Sequence, residues 1–415
     1  TLPANPYTYY GKKFTGWSDG KSTYQPNDTY TMSAGNVTFT ALWTDDIWDG
    51  SEKSASLNGS GTADDPYIIA SGADLNYLAN MGTAYCSKYY KVMADIDMGN
   101  YEMPPIYRLT GTFDGNGHKI TNLKIAGSGV YYGLFKEAGN SGTAAVIKNL
   151  TLENAVINDT HTSDSGKLGL LVSYTSDKLT IEGCYVTGSI TTTSKPYMNV
   201  GGLVGQVKGA DVTISRCYAG VTFIGGDSNS TFGGLVGSCE GGTIKNCYAI
   251  PDMSGVTAGY RSGITSGSNN NPVKIINCYA AGASLNGAGI ARNTATVSSS
   301  VSIFPEMRGS ARIFVNNNNV SGSNNYGFDG TIQRDSSGIV TPPAEQFAAD
   351  QAQGADATAT QLKSFSFYKD TLGWSEDIWE IRSGYDFPVL KGQKTVPTLA
   401  LDMAPSVVSI TLDKS

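Results

Sequence analysis

Apolar positions recur along this chain at a period too long for one helix face and too regular for loops. An isoleucine, a polar pair and a fixed apolar position repeat as Ile120…Leu123, Ile147…Leu150, Ile181…Cys184, Ile214…Cys217, Ile244…Cys247 and Ile275…Cys278. The isoleucines are 27, 34, 33, 30 and 31 residues apart. A second apolar element follows in each unit: Gly133-Leu134-Phe135, Gly169-Leu170-Leu171, Gly202-Leu203-Val204-Gly205, Gly234-Leu235-Val236-Gly237, Gly263-Ile264 and Gly289-Ile290. A repeat near 30 residues marks a solenoid or array. The units are rich in Gly, Thr and Asn and carry period-2 pieces, which excludes helical repeats. Propeller blades need about 40 residues or more. The pattern predicts coils of a parallel β-helix, six or more between residues 110 and 310, stacked about 4.8 Å apart.

The phase inside a unit predicts its shape. In Ile244-Lys245-Asn246-Cys247-Tyr248-Ala249 the apolar positions are the first, fourth and sixth. Strict alternation would put the first and fourth on opposite faces, so the chain must turn a corner between them. Asn122, Asn149, Asn246 and Asn277 share the corner position, and Asn tolerates the left-handed backbone that such a corner needs. Cys184, Cys217, Cys247 and Cys278 then point inward, in the slot that Leu123 and Leu150 fill in earlier units. In-register side chains point the same way, which predicts free thiols rather than disulfides. Tyr185, Tyr218, Tyr248 and Tyr279 point outward, an expected aromatic strip some 15 Å long from three rung intervals of about 4.8 Å. Such a strip would be the place for a ligand, unless a loop covers it.

The flanks read differently. Residues 1–44 form short aromatic runs broken by turns, with Val37, Phe39, Ala41 and Trp43 alternating as in a strand with one buried face. Residues 45–109 read as a linker and an N-terminal cap. Within them Pro66-Tyr67-Ile68-Ile69 suits a strand, and Ser71 can cap a short helix over residues 73–81 whose apolar face is Leu75, Leu78 and Ala79. The solenoid is expected over 110–392, and residues 393–415 as a linker running into another module.

Composition narrows the function classes. Glycine supplies 50 of 415 residues, against an average of roughly 7 per cent, and charged residues only 16%. The net charge of −7 and the absence of any basic stretch argue against nucleic acid and anionic membrane surfaces. No run approaches the roughly 18 apolar residues of a membrane span.

Several stretches resemble known families. "LPANPYTYYGKKFTGWSDG" with "VTFTALW" resembles the internalin-type repeat of bacterial cell-envelope proteins, which implies a β-grasp-like fold for residues 1–44. "GGLVG", "NCYA", "FDGNGHKITNLKI" and "FYKDTLGWSEDIWEIRSGYDFPVLKG" resemble the GLUG-motif β-helix domains of bacterial surface proteins, a group that includes non-catalytic regions of some IgA-cleaving peptidases. The resemblance implies an all-β chain: a right-handed parallel β-helix in which Trp374, Trp379, Tyr385 and Pro388 close the last coils. The segment after Gly392 resembles a linker and the first strand of an immunoglobulin-like module.

Catalytic patterns are scarce. His118 lies in an Asp-Gly-Asn-Gly-His turn and His161 in a polar run, with no HExxH pair. No GxSxG elbow, phosphate loop or CxxC pair occurs. Asp95, Asp97, Glu102, Asp114, Glu182, Asp211, Glu240 and Asp252 are scattered rather than arrayed beside bases as in β-helix lyases and glycosidases. Asp95 and Asp97 share one strand face and could bind calcium, though solvated acids near a cap are the simpler reading. The expectation is a non-enzymatic, cofactor-free, monomeric module, extracellular at the cell surface, with an adhesive or spacer role and a glycan or protein ligand. A carbohydrate-active enzyme and an accessory segment of a larger surface protease are the alternatives.

Overall fold

A computed structural model describes residues 1–394 and 396, apart from 33, 52, 127, 128, 193, 194, 268–270, 310 and 316–319. The expected module after Gly392 therefore lies almost wholly outside the described residues. The N-terminal strands β1 (Lys12–Ser18), β2 (Thr23–Tyr24) and β3 (Thr40–Asp45) form an antiparallel sheet in the order β2-β1-β3. Phe14 stands opposite Trp43, with ring centroids 5.5 Å apart. The strand expected from Val37 onward begins only at Thr40, and Phe39 instead packs edge-on against Tyr24 and Tyr30.

The rest is a parallel β-helix. Sheet 1 stacks ten strands, from Tyr67–Ile69 to Val320–Ser323. Sheet 2 has a main path of ten, from Glu102–Met103 to Ala355–Ala357. Sheet 3 stacks Phe135–Glu137, Val172–Thr175, Val204–Val207 and Val236–Cys239, and a five-stranded companion, sheet 4, runs from Tyr131–Tyr132 to Tyr260–Ser262. The expected inward columns are present: Phe113, Ile147, Ile181, Ile214, Ile244, Ile275 and Val297 are in register in sheet 1 and buried. Leu203, Leu235, Ile264, Ile290 and Ile313 form a second buried column, linked by backbone hydrogen bonds.

The parallel stack starts before residue 110, because Tyr67–Ile69 and Tyr89–Val92 are already its first two rungs. Ile120 is not in the isoleucine column either. Phe113 stacks on Ile147, whereas Ile120 lies opposite Leu152 in sheet 2. Asn122 and Leu123 belong to a different corner, shared with Asn154, so Leu123 does not precede the cysteines in their slot. An apolar residue followed by a polar pair occurs on both sides of the Asp114–His118 turn, and the period alone cannot choose between them.

The corners are as the phase requires. Asn149, Gly183, Arg216, Asn246, Asn277, Ser299 and Asn324 hold successive left-handed positions with φ between +48° and +61°. The glycines of the second motif have a packing cause. A Cβ on Gly234 would lie 2.0 Å from the Gly263 carbonyl and 2.8 Å from the Ala249 Cβ. On Gly263 it would lie 2.0 Å from the Gly289 carbonyl and 2.5 Å from the Ala280 Cβ. Ala219, Ala249 and Ala280 are one column of sheet 2, so "GGLVG" and "NCYA" are two sides of one close approach.

Helix α1 (Gly72–Ala79) sits at the first rungs, capped by Ser71, which accepts the Asp74 amide. Leu75, Leu78 and Ala79 face the core as expected. The helix stops at Asn80, short of the predicted Met81.

All six cysteines are unpaired. Cys184, Cys217, Cys247 and Cys278 are fully buried, and each Sγ lies 3.6–3.8 Å from a carbonyl of the preceding rung. Burial pushes the Cys184 and Cys247 thiols well above their ordinary range.

Two outcomes follow from this packing. Gly234→Ala should lower the denaturant midpoint, at a cost of about 1–3 kcal/mol for overpacking; an unchanged midpoint contradicts the close approach. Thiol titration of native protein should find only the half-buried Cys86 reacting readily, and unreduced denatured protein should release all six. Recovery of two or none after denaturation would mean that the ladder is oxidised.

Candidate functional site

The four outward tyrosines are in register, Tyr185 beside Tyr218 beside Tyr248 beside Tyr279. The rings of Tyr218 and Tyr248 stack at 4.4 Å, and those of Tyr248 and Tyr279 at 4.8 Å. They lie outside the coil, as expected, but they do not form an exposed strip. Tyr218, Tyr248 and Tyr279 are 0–2% exposed, and Tyr185 alone is partly open.

The cover is the C-terminal segment. After α2 (Ala359–Leu362) and a wide turn at Phe367–Thr371, the chain lies across the outer face of sheet 2 as a strap. Trp374 and Trp379 stack at 4.6 Å, and each comes within about 6.4 Å of the Tyr279 ring. The Tyr248 hydroxyl donates to Gln393 Oε1 at 2.8 Å, and that of Tyr279 to the Pro388 carbonyl at 2.8 Å. Trp374 Nε1 donates to the Ser299 carbonyl at 2.9 Å. The Trp-rich segment was expected to close the last coils. It packs on the outer side of the late coils at Tyr279 and Ser299 and runs back along the side past Tyr248. It reaches Gly117, whose carbonyl accepts from Lys394 Nζ at 2.6 Å.

What stays open is a cleft of about 220 Å³ at the strap's end, lined by Tyr185, Thr151, Glu182, Arg216, Lys391 and Lys394. Glu182 and Arg216 form an ion pair across adjacent rungs. The sequence signalled Tyr185 but not the lysines, which arrive from more than 200 residues away.

The candidate acids are engaged separately. Glu102 pairs with Lys124 at 2.9 Å, Asp114 with Lys148 at 3.3 Å and Glu240 with Lys208 at 3.9 Å. Asp95 accepts from the Lys119 amide and faces His118 Nδ1 at 3.1 Å. Asp97 accepts from the Gly99 amide and the Asn122 side chain, each at 2.9 Å. No group of three or more metal-ligating side chains occurs among the described residues. His161 is buried against Asp159, and its Nε2 has no hydrogen-bond partner. The i, i+2 spacing in Asp159-Thr160-His161 was the available sign of that pair.

No family model matches the chain. A 174-residue stretch is 34% identical to Halomucin of Haloquadratum walsbyi, which is 38% of this chain and 2% of that protein. A 113-residue stretch is 33% identical to the "Putative Gly-rich membrane protein" of Evansella cellulosilytica, 24% of this chain and 12% of the relative. The chain thus spans only a small part of either. Among solved structures, a "putative immunoglobulin A1 protease" from Bacteroides ovatus superposes with a TM-score of 0.52 over 81% of this chain and 95% of that one, at 19% identity. This likeness is one of fold: a parallel β-helix.

Burial pushes the Tyr218, Tyr248 and Tyr279 hydroxyls well above the ordinary tyrosine value. An unfolded tyrosine loses its proton near pH 10, so above that pH the unfolded state binds fewer protons than the native one. The ladder's contribution should be complete below about pH 10 and decline as pH rises through the raised values. In an alkaline titration, phenolate absorbance from these tyrosines should appear together with unfolding. Smooth titration of all tyrosines with the fold intact would show that the strap does not seal the ladder.

Proposed function

We propose that this chain is a non-catalytic, extracellular segment of a cell-surface protein, a stiff spacer that presents side chains on its outer faces. The observation that carries this reading is unbroken stacking: sheets 1 and 2 each run through ten rungs. Nine intervals of about 4.8 Å make a rod about 43 Å long. Partial identity to Halomucin and to a Gly-rich membrane protein supports a place at the cell envelope. So does the resemblance of residues 1–44 to the internalin-type repeat and of the coils to GLUG-motif domains. No helix among the described residues is long and apolar enough to cross a membrane.

A second reading, the accessory region of a larger surface protease, is favoured by the fold shared with the Bacteroides ovatus protein. Under it, the natural full-length protein cleaves immunoglobulin A and this chain alone does not.

Trypsin applied to intact cells of the source organism should release peptides from this chain, whereas cytoplasmic markers stay intact. The purified chain should release neither reducing ends nor unsaturated products from a panel of polysaccharides. Peptides recovered only after lysis would remove the surface reading, and turnover abolished by a single Asp or Glu substitution would replace it with an enzymatic one.

A further inference from the structure

A second outer surface carries aromatic and basic side chains that the strap does not use. Residues 106–109 form a rung against Phe135–Ala138, which places Tyr107 and Arg108 beside Lys136 and Glu137. The next rung adds Lys167 beside Tyr131, and Tyr174 beside Glu137. These side chains form a continuous series of cation–aromatic contacts. Arg108 lies 5.3 Å from the Tyr107 ring centre and Lys136 5.6 Å from it. Lys136 is also 5.7 Å from the Tyr131 ring, Lys167 is 4.9 Å from the same ring, and Tyr174 tilts against it at 5.9 Å. Lys208 follows one rung on, its amide bonded to the Thr175 carbonyl.

The charge here runs against that of the whole chain. Arg108, Lys136, Lys167 and Lys208 face two carboxylates, Glu137 and Glu240, a local balance of +2 on a chain of −7. Glu137 is taken by Arg108, and Glu240 lies 3.9 Å from Lys208. Among the described residues neither Lys136 nor Lys167 has an ion-pair partner; Lys167 Nζ donates only to the Ser165 carbonyl at 3.0 Å. Burial, with Lys208 nearby, holds the Lys167 ammonium below the ordinary lysine value, as expected where positive charge is crowded and uncompensated. An aromatic face attracts an ammonium through the ring quadrupole, which positions it without neutralising it.

We propose that this strip binds an anionic polysaccharide, with carboxylate or sulfate groups meeting Lys136 and Lys167 and sugar rings lying along Tyr107, Tyr131 and Tyr174. The assignment rests on the surface reading above and names the ligand class. The cations come from successive rungs rather than from one cluster, which suits a linear polyanion lying along the stack. Strand Phe135–Glu137 is paired on both sides, so an extended peptide cannot add to it as a strand, and recognition falls to side chains. Tyrosine provides an apolar face with a hydroxyl at its tip, which suits a sugar ring and its hydroxyls.

The test uses the 415-residue chain with immobilised polygalacturonate, chondroitin sulfate, neutral dextran and poly-glutamate. Binding to either or both acidic glycans is expected, together with its loss at roughly 1 M salt, where the screening length is about 3 Å. Which glycan binds distinguishes carboxylate from sulfate as the anion. The double variant Lys136→Gln/Lys167→Gln should weaken binding about tenfold, which is about 1.4 kcal/mol. Tyr131→Ala should weaken it as well, and the control Lys245→Gln/Lys274→Gln should not. All variants should keep the wild-type circular dichroism spectrum and melting temperature. Binding to neither glycan, or equal loss in the control, overturns the assignment, and binding to poly-glutamate alone transfers the strip to an acidic protein partner. Failure here with trypsin-accessible protein on intact cells removes the ligand and leaves the spacer, whereas glycan binding by a protein found only inside cells removes the surface reading and leaves the strip.

Discussion

Each residue of the solenoid is constrained by the residue one rung above it and the one below, at a separation the backbone sets at about 4.8 Å. This in-register stacking is what the other features depend on. It is tightest where a glycine column meets an alanine column. Gly202 faces Ala219, Gly234 faces Ala249 and Gly263 faces Ala280, each so near that an added Cβ would fall 2.5–2.8 Å from the facing methyl. A larger side chain in one rung would lift that rung from its neighbours and interrupt both sheets at once. The column of glycines ends at Arg312, one rung beyond Gly289. The guanidinium is buried there and donates to the carbonyls of Gln353, Phe328 and Gly354.

The tyrosine ladder is a consequence of the same register. Rings repeated once per rung stack at 4.4 and 4.8 Å, and a wide apolar face results. Left open it would be a ligand platform or an aggregation hazard. Here the chain covers it with its own Trp374 and Trp379, and the buried hydroxyls of Tyr248 and Tyr279 find partners in Gln393 and Pro388. The strap also returns the chain to the first rungs, with Lys394 on Gly117, near the side where Ile47 bridges to Asp97 and the N-terminal sheet joins. The C-terminal segment also packs on the far coils, where Phe367 meets Tyr326 and the Asn324 side chain donates to the Thr371 carbonyl.

Electrostatics divides the surface in two. Many acids are held by a neighbouring lysine or arginine, and others accept from backbone amides. Lys136 and Lys167, which have no ion-pair partner among the described residues, sit among tyrosines as a local positive excess on a chain of net charge −7.

The periodic part of the architecture was legible in the residues because stacking is local in pattern: every rung repeats the same sizes at the same places. The Asn corners, the isoleucine column from Ile147 onward, the cysteine slot and the outward direction of the tyrosines were all readable from one unit. Ile120 was misassigned because two apolar positions flank one turn, and only pairing across rungs distinguishes Phe113 from Ile120. Exposure could not be read from the unit at all. Whether Tyr248 meets solvent depends on Gln393, 145 residues away, and Tyr279 depends on Pro388, 109 residues away. The row of cations over Tyr107 and Tyr131 is likewise assembled from three rungs whose spacing in sequence is irregular. Periodicity determines which way a side chain points, and only the folded chain decides what lies against it.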